Sequence, residues 1–391
     1  MTRTIHRSLS PSIKVSSNKT RKILLLVAAS CVSLFLSTSS TNKLLPSLSG
    51  SNIFASAPTA ENVSQGQDSA EERPGSLFDP VEIPLQCPRN STQRRRVIDV
   101  TWVNSELPSL ELRLNELWNV VDIFFISEST ISWKAIPFKN QTLAPKPLYV
   151  TEHWDDFERF QSKMVIHVIP PEISLNTTYH GSYAIEMAQR DREWHAIQQV
   201  LNPKPDDLLI FADLDEIPRP GTIEKLACDP PDRMPPTPVC LHTKDSFYYY
   251  NYKCHIKFEW TSRPRVQLFQ DGRTKCRSTM ENASTHCSSC FGSLDYVRNK
   301  IMSNADPMED SPLQLNNASI LDRLRNCKDV YLRTELDKNM DFRESIDYGG
   351  IPLIVSKHPE RWPYLLGKGP LYEEVEDNFT MTNKSMFPLV L

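Results

Sequence analysis

The sequence predicts an α/β domain built on a mostly parallel central sheet. Three observations carry this. Apolar runs of strand length alternate with helically spaced apolar residues between Val97 and Ala212, the pattern of repeated strand–helix–strand units. Hydrophobic residues make up 39% of the 391 and charged residues 24%, enough to fill a large core. The fourth apolar run ends abruptly at Asp213-Leu214-Asp215, and open α/β sheets bind ligands beyond the carboxyl ends of their strands.

The elements follow in order. Residues 1–22 carry six basic side chains and no acid and read as a cytoplasmic tail. Ile23–Leu36 is apolar apart from Ser30, Cys31 and Ser33. The Ser/Thr stretch that follows extends it to 23–41, close to the roughly 20 residues a transmembrane helix needs. The basic flank precedes the run, which places the N-terminus in the cytoplasm and the rest in the lumen. The small-residue pattern Ala55-Ser56-Ala57 offers a cleavage site. It lies about twenty residues past the run, too far for a cleaved signal peptide, so a retained signal anchor is expected. Residues 42–92 are rich in Ser, Thr, Asn and Pro and read as a disordered stem.

A globular pattern spans 93–370. Strands are expected at Val97–Val103, Asp122–Glu128, Met164–Ile169 and Asp207–Ala212, with helices after the first strand and over Ala184–Leu201. Val239–His242 and Ser246–Tyr252 read as further strands. Tyr248-Tyr249-Tyr250 is either a sugar-stacking platform or packing within a sheet. Residues 371–391 are polar and read as a tail.

Eight N-x-[ST] sequons follow the apolar run, and eight cysteines remain once Cys31 is set aside. Both fit a lumenal domain, and the cysteines suggest structural disulfides. Cys287-Ser-Ser-Cys290 has no second C-x-x-C or histidine pair to make a zinc site. Past residue 22 the balance is 38 basic against 48 acidic residues, so no nucleic-acid footprint exists. Dinucleotide-binding, P-loop, nucleophile-elbow and zincin motifs are all absent from the sequence.

Two carboxylates one residue apart at a strand end can hold a hard divalent cation that bridges phosphate oxygens. Asp213 and Asp215 therefore suggest a Mn²⁺ or Mg²⁺ site for a nucleotide-diphosphate sugar. The alternative is a solvated acidic turn that caps a helix near Gly221.

The stretch Phe211-Ala212-Asp213-Leu214-Asp215-Glu216-Ile217-Pro218 resembles the D-x-D-E-I-P motif of glycosyltransferase family seventeen. Glu111–Leu117, with Val120-Val121-Asp122 and Ser127-Glu128-Ser129, resembles its nucleotide-half signature. His286-Cys287-Ser288-Ser289-Cys290-Phe291, followed by Lys300-Ile301-Met302-Ser303, resembles its H-C-S-x-C-F block. Ile351-Pro352 with Tyr364-Leu365-Leu366 resembles its C-terminal block. Thr285, Ser289 and Ser129-Thr130 depart from the family's usual residues.

The resemblance implies a GT-A-like fold, a UDP-N-acetylglucosamine (UDP-GlcNAc) donor, and the β-linked mannose of an N-glycan as acceptor. It also implies a type II protein of the Golgi membrane. On that footing Asp213 and Asp215 engage the metal and the donor, and Glu216 orients them or caps the turn. Asn104 and Glu128 stand where uridine contacts are expected. Arg190 neutralises the diphosphate or forms a surface salt bridge. His286 lies near the metal or packs beside a disulfide. Inversion at the anomeric carbon requires a general base, for which Asp306 and Asp310 are the candidates. Rival readings are a transferase with another donor or acceptor and a non-catalytic lumenal glycan-binding protein.

Overall fold

Val97–Trp102 forms strand β1, and all 6 of its residues are buried, as a strand covered on both faces requires. The computed structural model describes Cys87 and residues 94–133, 146–175, 178, 183–243, 247–257, 264–306 and 312–372. The expected anchor at 23–41, the stem apart from Cys87, Asp310 and the tail from residue 373 lie outside the described residues. No helix among the described residues is long and apolar enough to cross a membrane.

After β1 come helix α1 (Leu107–Leu117), β2 (Ile123–Ser129), β3 (Met164–Ile169), helix α2 (Ala184–Leu201) and β4 (Leu208–Phe211). The four strands and α2 each lie within two residues of their expected positions. Pro108 in the first turn of α1 costs no intrahelical bond. Asn202 ends α2 in the left-handed conformation at φ 43°. Next are β5 (Glu216–Pro218), α3 (Pro220–Cys228), β6 (Val239–Thr243), β7 (Phe247–Tyr249), β8 (Asn251–Ile256), β9 (Arg265–Leu268) and β10 (Ser278–Ser288). Helices α4 (Leu294–Ser303) and α5 (Asn317–Arg325) and strand β11 (Met340–Phe342) follow.

The strands form one 11-stranded sheet in the order β11-β8-β7-β10-β6-β9-β4-β1-β2-β3, with β5 beside β10. The expected parallel arrangement is observed for β3, β2, β1 and β4. Beyond β4 the sheet is mixed, because β9 runs antiparallel to both β4 and β6. The mostly parallel expectation is corrected accordingly. Strands β5, β9 and the first half of β10 carry too few apolar residues in period to be read from sequence. Ser278–Asn282, for example, is largely exposed.

Side chains alternate across the parallel half. Val97, Phe124, Ile126, Leu208 and Ile210 join Leu110, Leu114 and Leu117 of α1 in one core layer. Ile98, Val100, Phe125 and Leu209 pack against Ala196 and Ile197 of α2 on the opposite face. A second cluster joins β7 and β8 to α4 and α5 through Phe247, Ile256, Val297 and Leu324.

The eight expected lumenal cysteines pair as Cys87–Cys228, Cys240–Cys276, Cys254–Cys327 and Cys287–Cys290. The C-x-x-C is thus a disulfide.

Candidate active site

Strand order reverses at β1, which pairs with β2 on one side and β4 on the other. Chain segments leaving the carboxyl ends of β1 and β4 therefore diverge, and the gap between them is where open sheets hold ligands. Trp102–Glu106 leaves one side of that gap and Asp213–Glu216 the other.

The acidic loop is fixed from below. Arg113 on α1 is fully buried and forks onto Asp99 of β1, Nε to Oδ2 at 2.8 Å and Nη2 to Oδ1 at 2.7 Å. Its Nη1 donates to the backbone carbonyls of Asp213 (3.0 Å) and Glu216 (2.8 Å). A planar guanidinium serves four acceptors here, which a lysine cannot. Arg113→Met strands the buried Asp99 carboxylate, so it should cost about 3–5 kcal/mol of stability. Chemical denaturation of the oxidised protein measures this. A cost under about 1 kcal/mol would show that the pair does not hold the loop.

Above the loop lies a cavity of ≈ 840 Å³, open mouth included. Glu106, Glu186, Asp213, Asp215 and Asp306 all line it, and Lys300 is the cation on its wall among the described residues. Asp213 Oδ1 accepts from Arg190 Nη2 at 2.5 Å. Asp215 Oδ2 accepts from Lys300 Nζ at 2.6 Å, and its Oδ1 faces His286 Nε2 at 3.6 Å. Burial acts to raise the Asp215 pKa, but Lys300 and then His286 outweigh it and hold the group below its usual value. Burial lowers the His286 pKa, with the Asp215 charge opposing it. It stacks on Phe247 with centroids 4.7 Å apart.

Asp213, Asp215, Asp306 and His286 thus share one cavity. Arg190 reaches it through Asp213, its guanidinium lying 4.4 Å from the Trp102 ring centroid. Glu216 stands apart. It is 1% exposed, and its Oε2 accepts the Asp213 backbone N–H at 3.2 Å. Burial, then the Asp213 and Asp215 charges, raise its pKa well above the usual range. It braces the loop from behind and lies off the cavity wall, a poor position for a base. The acids do not cap the next helix, whose N-cap is Arg219 without a side-chain cap.

Glu128 is spent elsewhere. Its carboxylate accepts the backbone N–H groups of Val150 (3.0 Å) and Thr151 (3.1 Å), the start of the short helix Tyr149–Glu152. The uridine role expected for it thus has no geometry here. Asn104 lies just past β1 and donates from Nδ2 to Ser303 Oγ at 2.7 Å. Its Oδ1, Trp102 Nε1 and Ser105 Oγ are buried without hydrogen-bond partners. Three orphaned polar atoms at one strand end call for a ligand or water. The Tyr248, Tyr249 and Tyr250 rings are at most 5% exposed and serve packing.

Lys300, Glu186 and Tyr183 were missed as site residues. Glu186 left a local signal, a carboxylate four residues before Arg190 on a helix. Lys300 left no signal beyond its place after the cysteine block, because its contact with Asp215 spans 85 positions.

The residues suit a divalent cation completed by substrate. Two carboxylates with phosphate and water oxygens satisfy Mg²⁺ or Mn²⁺, and Asp213 and Asp215 line one wall. Among the described residues no group of three or more His, Cys, Asp or Glu side chains is placed to hold a metal ion by itself.

Comparison with known proteins adds the lineage. The sequence model of Glycosyltransferase family 17 matches residues 84–370. The chain is 28% identical over 191 residues to the human beta-1,4-mannosyl-glycoprotein 4-beta-N-acetylglucosaminyltransferase and to the enzyme of that name from Rattus norvegicus. That stretch covers 48% of this chain and 32% of each relative. The family match runs from the first disulfide, through the acidic loop and cavity, to the last described helical turn, and the chain belongs to glycosyltransferase family 17.

Proposed function

We propose that the protein transfers N-acetylglucosamine from UDP-GlcNAc to the β-linked mannose of an N-glycan core, with inversion and with a divalent cation. The observation that carries this is the acidic excess of the cavity, five lining carboxylates against Lys300 on the wall and Arg190 and Arg333 paired with them. That excess disfavours a bare diphosphate and favours one that enters with a cation. Asp213 and Asp215 would hold that cation, which would supply charge neutralisation for a departing diphosphate. Arg190 and Lys300 hold the two carboxylates in place. The orphaned Asn104 Oδ1 suits an N–H of the uracil ring.

The acceptor follows the activity for which the human and rat relatives are named. Four disulfides fit an oxidising lumen. With the basic tail and apolar run they support a single-pass type II protein of the Golgi membrane.

Full-length protein in detergent, given Mn²⁺, UDP-GlcNAc and a biantennary N-glycan, should add one N-acetylglucosamine to the core β-mannose, read by mass spectrometry with linkage analysis. Turnover of a different UDP-sugar, with UDP-GlcNAc inert, would move the assignment to a transferase of other donor specificity. Glycan binding without turnover of any UDP-sugar would favour a non-catalytic binding protein.

A further inference from the structure

Five aromatic side chains line the cavity: Trp102, Trp133, Tyr183, Phe247 and Tyr249. Four have their rings occupied by the protein itself. The Arg190 guanidinium lies 4.4 Å from the Trp102 centroid and 5.7 Å from that of Trp133. Phe247 is stacked on His286. Tyr249 is 5% exposed and packs on Phe247 at 5.4 Å and on Tyr250 at 5.3 Å. Tyr183 differs. It is 47% exposed, and no ring or cation among the described residues covers its face.

An exposed large aromatic on a cavity wall calls for a partner, where a buried one does not. The Tyr183 hydroxyl donates to Asp306 Oδ1 at 3.2 Å, which ties the ring edge to the wall. Asp306 is itself held by Asn304 Nδ2 at 2.9 Å and by Arg333 Nη1 at 3.4 Å. Burial, then the Asp306 charge, push the phenol up to about 12, so it remains a donor at neutral pH. The tether leaves an open face with one orientation and little entropy left to lose. Met187, one turn further along α2, is 39% exposed and extends the apolar surface.

A hexopyranose has one face of C–H groups that packs on an aromatic ring, and a rim of hydroxyls that does not. We propose that the Tyr183 ring is the platform on which the acceptor pyranose lies. The inference rests on the glycosyltransfer reading above and names the protein's contact with the acceptor. A sugar stacked there presents its hydroxyl rim to Glu186 and Asp306, which line the same cavity. The platform the sequence suggested at Tyr248–Tyr250 thus moves to a tyrosine about 65 positions earlier in the chain.

The test uses the full-length protein with Tyr183→Ala, Tyr183→Phe and Tyr183→Trp. The KM for the N-glycan acceptor should rise about tenfold in Tyr183→Ala, while the KM for UDP-GlcNAc moves less than about twofold. Tyr183→Phe and Tyr183→Trp keep a ring and should remain within about threefold of the natural protein for the acceptor. An unchanged acceptor KM in Tyr183→Ala overturns the proposal. So does a Tyr183→Phe as impaired as Tyr183→Ala, since the hydroxyl would then matter and not the face. Equal shifts in both KM values also overturn it, as a general structural effect.

Calorimetric titration of the same glycan in the presence of UDP and Mn²⁺ reads the platform without turnover. If UDP-GlcNAc is inert with the natural protein, the functional reading fails, and this titration still decides the platform. Weaker glycan binding by Tyr183→Ala supports it, and equal or absent glycan binding overturns it.

Discussion

Asp215→Asn should lower transfer by roughly 10²–10³-fold or more, since a divalent cation supplies several kcal/mol of charge stabilisation to a leaving diphosphate. The substitution keeps size and removes the charge. EDTA should reproduce the loss in the natural protein, and Mn²⁺ or Mg²⁺ should restore activity there but not in the variant. The effect should fall mainly on turnover, because charge on the diphosphate develops in the transition state.

A solvated carboxylate at a strand end contributes little to folding. The pairing of Asp215 with Lys300 at 2.6 Å alters that. Lys300 is 7% exposed and, among the described residues, keeps Glu106 Oε1, at 3.8 Å, as its alternative carboxylate. Some stability is therefore lost, and a melting curve should accompany every rate. Undiminished transfer by folded Asp215→Asn in EDTA would sink both the metal and the placement of the site.

The parallel half of the fold was legible because its strands are buried on both faces. Val97–Trp102, Ile123–Ser129 and Leu208–Phe211 are near-continuous apolar runs, which is how such strands read. The rest was hidden for two reasons. Glu216–Pro218 is a three-residue strand whose first side chain is a buried acid, so it carries no periodic signal. Ser278–Ser288 changes from exposed to buried halfway along, and its neighbours β6 and β7 are distant in sequence.

The acidic loop was legible for the same reason as the strand before it. An apolar run ending in two acids marks a strand end, and strand ends in such sheets meet ligands. What surrounds the loop was not legible. Arg113 lies in a leucine-rich helix where a solvated arginine would look identical, yet it is fully buried on Asp99. Glu128 shows the opposite error. It ends a buried strand as the acidic pair does, but the backbone of a helix 22 positions away claims its oxygens. Position at a strand end is therefore insufficient, and the partners of each oxygen decide which acid remains open to a substrate.

The same criterion compares Asp306 with Glu186 as takers of the acceptor's proton. Both oxygens of Asp306 are engaged, Oδ1 by Tyr183 and Arg333 and Oδ2 by Asn304. Glu186 accepts from Arg190 Nε at 2.8 Å and Nη2 at 2.6 Å, both on Oε1, which leaves Oε2 without a donor among the described residues. Burial raises the Glu186 pKa, with Arg190 opposing, and a carboxylate with raised proton affinity is the better base. The step balances simply. In the proposed transfer the acceptor hydroxyl proton would pass to Glu186 Oε2, the hydroxyl oxygen would bond to the anomeric carbon, and the bond from that carbon to the diphosphate oxygen would break as UDP departs.

Glu186→Gln should then lower turnover by about 10²–10⁴-fold with the KM for UDP-GlcNAc little changed. Asp306→Asn keeps the size of the group that orients Tyr183 and should lose less. Single-turnover rates of the two variants, measured side by side at saturating donor, decide between them. A larger loss in Asp306→Asn than in Glu186→Gln would return the base to Asp306. Arg190→Lys offers a further check, since it loosens the fork between Glu186 and Asp213 while keeping the charge. If Glu186 is the base, Arg190→Lys should impair turnover even at saturating Mn²⁺, because the cation cannot restore the aim of Oε2.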